Sequence, residues 1–209
     1  MKCFATAMLL AGSIALTACV PSIHPLYTAE DVVYDDSIVG AWVDLAADET
    51  WIFSKGEKGE YKMVQVAEDG RMGEFSARLV RVGSETFIDM VPVKSGFLKD
   101  HFLATHTFVH LARKGDKIHV SVLEPKWIKE TLAEKPDLLR HEKVNGDVVL
   151  TAAPKDMQAF LIANLKTREA FTEPTELIRK PSRRRELPPP ASKTYSLEKS
   201  CLIFPKLGY

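Results

Sequence analysis

ATHTFVHLARKGDKIHVSVLE, residues Ala104 to Glu124, is the stretch whose reading decides the fold. Apolar and polar side chains alternate on both sides of Lys114-Gly115-Asp116, and a period of two is that of a half-buried strand. A glycine inside so short a connection suits a tight hairpin, because the turn needs a backbone conformation that other residues resist. Val109 and Leu111 of the first strand then share a face with Ile118, Val120 and Val122 of the second. That face is expected to be the core.

Working outward towards the amino terminus, five more runs show the same character: GAWVDL, ETWIFSK, YKMVQVA, EFSARLVRV and ETFIDMVPV. Turn residues separate them at Lys55-Gly56, Asp69-Gly70 and Gly83-Ser84. Short strands joined by short polar turns predict an antiparallel meander with one buried face. Towards the carboxyl terminus the period changes. PKWIKETLAEKPDLLRHE places Trp127, Ile128, Leu132 and Leu138-Leu139 at helical spacings, broken by Pro136, which predicts a helix followed by a turn or a second short helix. DVVLTA reads as the last strand. Pro154 then opens another helix at its first turn, with Met157, Phe160, Leu161 and Leu165 as the buried stripe. The expected class is mainly β: a meander or barrel-like sheet of about eight strands with one or two packed helices, forming a single domain over residues 38–180. Glu173 to Lys180 reads as no more than a last ordered turn.

The flanks differ in composition. Residues 19–37 contain Pro21, Pro25, Glu30, Asp31, Asp35 and Asp36 and read as a tether that holds the body away from its attachment point. Residues 181–209 form a basic, proline-rich tail whose opening, PSRRRELPPPASK, has too little apolar content to fold. Its end, CLIFPKLGY, is apolar and reads either as a docking segment or as a frayed terminus. The whole chain balances 28 basic against 28 acidic residues, which leaves no electrostatic footprint for nucleic acid. Arg183-Arg184-Arg185 could touch phosphates or an acidic protein, but a charge run in such a tail is ordinarily just solvated.

Before Cys19 the only charged side chain is Lys2, and the run Cys3 to Ala18 is apolar or small. It is too short and too interrupted, by Gly12 and Ser13, to span a bilayer, so residues 1–18 read as a signal peptide. Leu16-Thr17-Ala18-Cys19 resembles the bacterial lipobox, in which an apolar residue and two small ones precede an obligatory cysteine. The resemblance implies cleavage between Ala18 and Cys19, a diacylglycerol thioether on the Cys19 sulfur and an acylated amino group. In lipoproteins of this kind an aspartate after the cysteine favours inner-membrane retention; Val20 stands there instead, which implies an outer-membrane anchor facing the periplasm. Cys3 leaves with the signal and Cys19 is consumed by lipid, so Cys201 has no partner within the mature chain.

Two further resemblances concern the body. Gly40-Ala41-Trp42, at the first strand of a meander, resembles the G-x-W signature of lipocalins, whose tryptophan closes one end of an up-and-down barrel. In that family an arginine near the last strand packs over the tryptophan, and DVVLTA has none. The order HPLYT, VGAWVD, ATHTFVHLARKGDKIHVSVLEPKWIKE and VVLTAAPKDMQAFLIANL resembles a recurring class of bacterial lipoproteins with no established activity.

Candidate chemistry is sparse. His106 and His110 fall on one face of their strand and His119 on the same face of its neighbour, a placement that could ligate zinc or copper. The opposite face of that hairpin is the apolar one, so the three also read as a solvent-facing polar surface. No G-x-S-x-G, S-x-x-K, H-E-x-x-H or glycine-rich phosphate loop occurs. Carboxylate pairs such as Asp35-Asp36 and Asp44 with Asp48 read as solvated turn residues. The expectation is a non-enzymatic domain without cofactor that binds an apolar or amphiphilic ligand or an envelope protein, with Trp42, Phe53, Phe87, Phe108 and Trp127 lining a pocket or the adjacent core. The alternatives are an assembly accessory docked on an envelope complex, and an enzyme or metal-binding protein without a familiar motif. An open apolar cavity would favour ligand binding, and a filled core with an apolar surface patch would favour docking.

Overall fold

A computed structural model describes residues 19–93 and 103–181 of the chain. The strands are β1 (Val32–Val33), β2 (Gly40–Asp44), β3 (Glu49–Lys55), β4 (Tyr61–Val66), β5 (Met72–Val82), β6 (Glu85–Pro92), β7 (Thr107–Lys114), β8 (Lys117–Val122), β9 (His141–Val144), β10 (Asp147–Leu150) and β11 (Thr175–Arg179). The helices are α1 (Pro125–Glu134) and α2 (Pro154–Asn164). Strands β2 to β8 follow one another as antiparallel neighbours, and β11 pairs with both β8 and β2. The result is a closed eight-stranded antiparallel barrel. Closure removes the exposed sheet edges that an open meander would present.

The hairpin that decided the class forms with the expected register: Val109 faces Val122, Leu111 faces Val120, and Lys114 pairs with Lys117 across Gly115-Asp116. Gly115 has φ +66°, the left-handed conformation such a turn requires at its first position. Val109, Leu111, Ile118 and Val120 point into the barrel together with Trp42, Trp51, Phe53, Tyr61 and Met63. Large side chains from every strand fill the interior.

The expectation of one buried face holds for part of the sheet only. Along β5 to β7 the outward side chains Val80, Val82, Phe87 and Phe108 are buried too, beneath a second apolar layer. Ile128 and Leu132 of α1, Met157, Phe160 and Leu161 of α2, and Val148 and Leu150 of β10 make up that layer. The barrel is thus apolar inside, while Lys62 and Glu74 point out to solvent, the reverse of a membrane-spanning barrel with its apolar outer band. Among the described residues no helix is long and apolar enough to cross a membrane.

Three sequence expectations need correction. DVVL is not the last barrel strand: it pairs with His141–Val144 as a separate two-stranded hairpin outside the barrel. The closing strand is β11, in the segment that read as a turn. Nor are residues 19–37 a free tether. Val20, Ser22 and Leu26 are buried, Ser22 exchanges backbone hydrogen bonds with His106 (2.9 and 2.8 Å), and Leu150 N–H donates to the Pro21 carbonyl at 2.9 Å. Leu26 N–H donates to the buried Asp89 carboxylate at 2.7 Å, and β1 adds to the edge of β5. The segment is wedged between barrel and outer hairpin from its first described residues. The signal segment, the basic tail and Cys201 lie outside the described residues.

Candidate binding site at the barrel mouth

One end of the barrel is shut. A 3-10 turn at Asp36–Ile38 crosses it, and the indole N–H of the fully buried Trp42 donates to the Ile38 carbonyl at 2.8 Å. Arg179, at the end of β11, lays its guanidinium over the Trp42 ring, 4.4 Å from the centroid, where a cation is drawn to the negative face of the π system. Its fork also donates to the carbonyls of Val39, at 2.9 Å, and Ser37. Gly40 is required beneath it: at φ +134° a side chain is strained, and a Cβ there would fall 2.7 Å from the Arg179 Nη1. An arginine thus does lie over the tryptophan, from β11 and not from DVVLTA, at the register position directly opposite Trp42.

The other end stays open. A cavity of about 30 Å³ lies just inside this mouth, room for about two waters. Met90, Val109, Val120 and Leu177 supply apolar walls, and Asp44, Glu49, Trp51 and Gln65 supply the polar atoms. Cys19 lines the same cavity. Burial pushes its thiol up to about 11, so the folded, unmodified chain holds almost no thiolate at neutral pH and the sulfur is a poor nucleophile.

The polar groups of the mouth are unequally served. Asp44 is buried but occupied: it accepts from the N–H groups of Ala46 and Ala47 at 2.8 and 3.2 Å, fixing the β2–β3 turn. Its reading as a solvated turn carboxylate was wrong. Burial pushes the Glu49 carboxyl upward, the neighbouring Trp51 indole draws it back, and Asp44 adds to the rise. Among the described residues neither Trp51 Nε1 nor Gln65 Oε1 has a hydrogen-bond partner. An unpaired buried acceptor costs about 1–3 kcal/mol. The mouth therefore offers an open acceptor and an underused donor against apolar walls.

The residues nominated from the sequence as pocket lining or adjacent core belong to the core or pack against it. Trp42 and Phe53 belong to the barrel core, Phe87 and Phe108 to the outer layer, and Trp127 packs on Phe160 at 6.0 Å between centroids; none of the five lines the mouth cavity. The three histidines are not gathered. His106 Nδ1 lies 2.6 Å from Asp89, His110 Nε2 lies 2.9 Å from Glu85, and His119 Nε2 lies 3.9 Å from Glu176. Each faces its own carboxylate, and His110 is further held between Phe87 and Phe171. Among the described residues no group of three or more His, Cys, Asp or Glu side chains is placed to hold a metal ion. Nor is this a solvent-facing surface, because the outer layer covers much of it.

Gln65 was missed although a signal existed. In YKMVQV the inward positions are Tyr61, Met63 and Gln65, so the alternation itself places an amide inside the barrel. No protein-family model, curated protein or solved structure matches the chain.

Proposed function

We propose that this chain is a lipid-anchored, non-enzymatic binding domain of lipocalin-like type. Acyl chains on Cys19 hold it to the periplasmic face of the outer membrane, and its mouth captures the polar end of an amphiphile. The observation that carries this reading is the mouth cavity itself, where an unsatisfied buried acceptor sits among apolar walls beside Cys19. The lipocalin-like part draws support from Arg179 stacked over Trp42 across a shut barrel end. The packed interior limits what enters to a few heavy atoms with a hydrogen-bond donor, a hydroxyl or an amide, while the remainder of the ligand lies outside. No cofactor is needed.

Gln65→Leu tests the site. The substitution replaces an orphaned amide by an apolar group of similar size and is expected to raise the folding free energy by about 1 kcal/mol, measured by urea unfolding. The same variant, purified as the full chain from membranes, is expected to lose the amphiphile that accompanies the wild type, read by mass spectrometry of the extract. A loss of stability, or an unchanged amphiphile content, would contradict the assignment.

A further inference from the structure

The turns around the mouth carry the most exposed large apolar side chains among the described residues. Leu45 lies in the β2–β3 turn, Met72 opens β5, Val93 follows β6 and Leu103 precedes β7, with exposures of 73, 68, 51 and 70%. Single exposed aliphatics are ordinary, but these four fall on one end of one barrel, and a clustered apolar rim marks an interaction surface. Among the described residues, the β3–β4, β5–β6 and β7–β8 turns at the shut end carry none. Cys19 belongs to the rimmed end, and the chain after it has no slack, because Val20 is buried and Pro21 and Ser22 are hydrogen-bonded to Leu150 and His106. A lipid on that sulfur would bring the bilayer against the rim rather than tens of ångströms away.

We propose that the rim is a membrane seat: Leu45, Met72, Val93 and Leu103 dip into the surface of a zwitterionic bilayer, with the mouth facing the lipid. The inference rests on the lipid-anchor reading given above. Charge selects the kind of surface. The turns that carry Leu45 and Met72 also hold Asp48, Glu68 and Asp69, and their one cation, Arg71, is bonded to Asp69 at 2.6 Å. An anionic membrane would repel these two turns. A seated mouth gives an amphiphile a path between bilayer and cavity that does not cross water.

The test places nitroxide labels on the full-length, lipidated chain carrying Cys201→Ser and reconstituted in phosphatidylcholine vesicles. Leu45→Cys and Met72→Cys label the rim, and Ser84→Cys labels the opposite end, in the β5–β6 turn. Rim labels are expected to relax severalfold more with oxygen than with a water-soluble nickel chelate, relative to the Ser84 label. The amino-terminal peptide of each sample is weighed in parallel. A lipidated Cys19 with rim labels as open to nickel as the Ser84 label would overturn the seat and leave the anchor standing; an unmodified Cys19 would overturn both. Labels shielded in native envelopes but open in the vesicles would assign the rim to a protein partner instead.

Discussion

Trp42→Ala is expected to lower the folding free energy by about 3–5 kcal/mol. Trp42 is fully buried, its indole N–H serves the Ile38 carbonyl, and its ring face carries Arg179. Truncation opens a cavity, orphans the carbonyl and leaves the guanidinium over nothing. Against the 5–15 kcal/mol total typical of a domain, such a loss leaves little margin. Arg179→Met separates the parts: it keeps an apolar cover on the ring but removes the charge and both carbonyl contacts, for an expected loss of about 1–2 kcal/mol. Urea unfolding measures both. If Trp42→Ala costs under about 1 kcal/mol, below the range for a buried aromatic, the shut end does not hold the barrel together.

Asp89→Ala is expected to cost a similar amount, about 3–5 kcal/mol, by a different route. The Asp89 carboxylate is buried on the outward face of β6 and accepts from Leu26 N–H at 2.7 Å while lying 2.6 Å from His106 Nδ1. Its removal strands a buried backbone donor and a mostly buried imidazole together. Because Leu26 belongs to the segment wedged against the barrel, the damage should concentrate there, with amide exchange at residues 20–31 accelerating more than exchange in β7 or β8. Asp89→Asn keeps an acceptor for Leu26 and should lose less. Uniform acceleration across the barrel would show that Asp89 does not specifically fasten the segment.

The strands of the meander were legible because each has a buried inward row and a recognisable turn. β11 was not, and the reason is physical. Of its five residues only Leu177 is buried, so TELIR shows no alternation strong enough to register, and its partners β2 and β8 lie far away in sequence. Missing that strand also hid Arg179. The His141–Val144 strand failed similarly: Asn145-Gly146 is a strong hairpin signal, but His141 is only half-buried and Glu142, Lys143 and Val144 are exposed, so the strand carries no inward row. The segment after Cys19 misled through composition. Its prolines and carboxylates resemble a spacer, whereas what fixes it is backbone pairing to β7 and β10 and the Leu26 contact to Asp89, none of which leaves a periodic trace. The mouth was not read from the sequence: Cys19 stood out only as a motif cysteine, Gln65 had a register signal that went unused, and the two meet only through closure of the barrel.

In the proposed reading the lipid anchor and the binding site are one place. A spacer would let the domain work at a distance from lipid; a wedged segment at the barrel mouth does the opposite. In that reading the cavity of about 30 Å³ admits only the head of a ligand, and its tail would remain in the bilayer.

The most direct measurement is native mass spectrometry of the full-length protein released from its own membranes in mild detergent. A discrete, stoichiometric amphiphile beyond the covalent lipid on Cys19, lost when Val120→Trp fills the mouth, is the result the proposed function predicts. A bare protein mass, or an adduct that survives Val120→Trp unchanged, would contradict it.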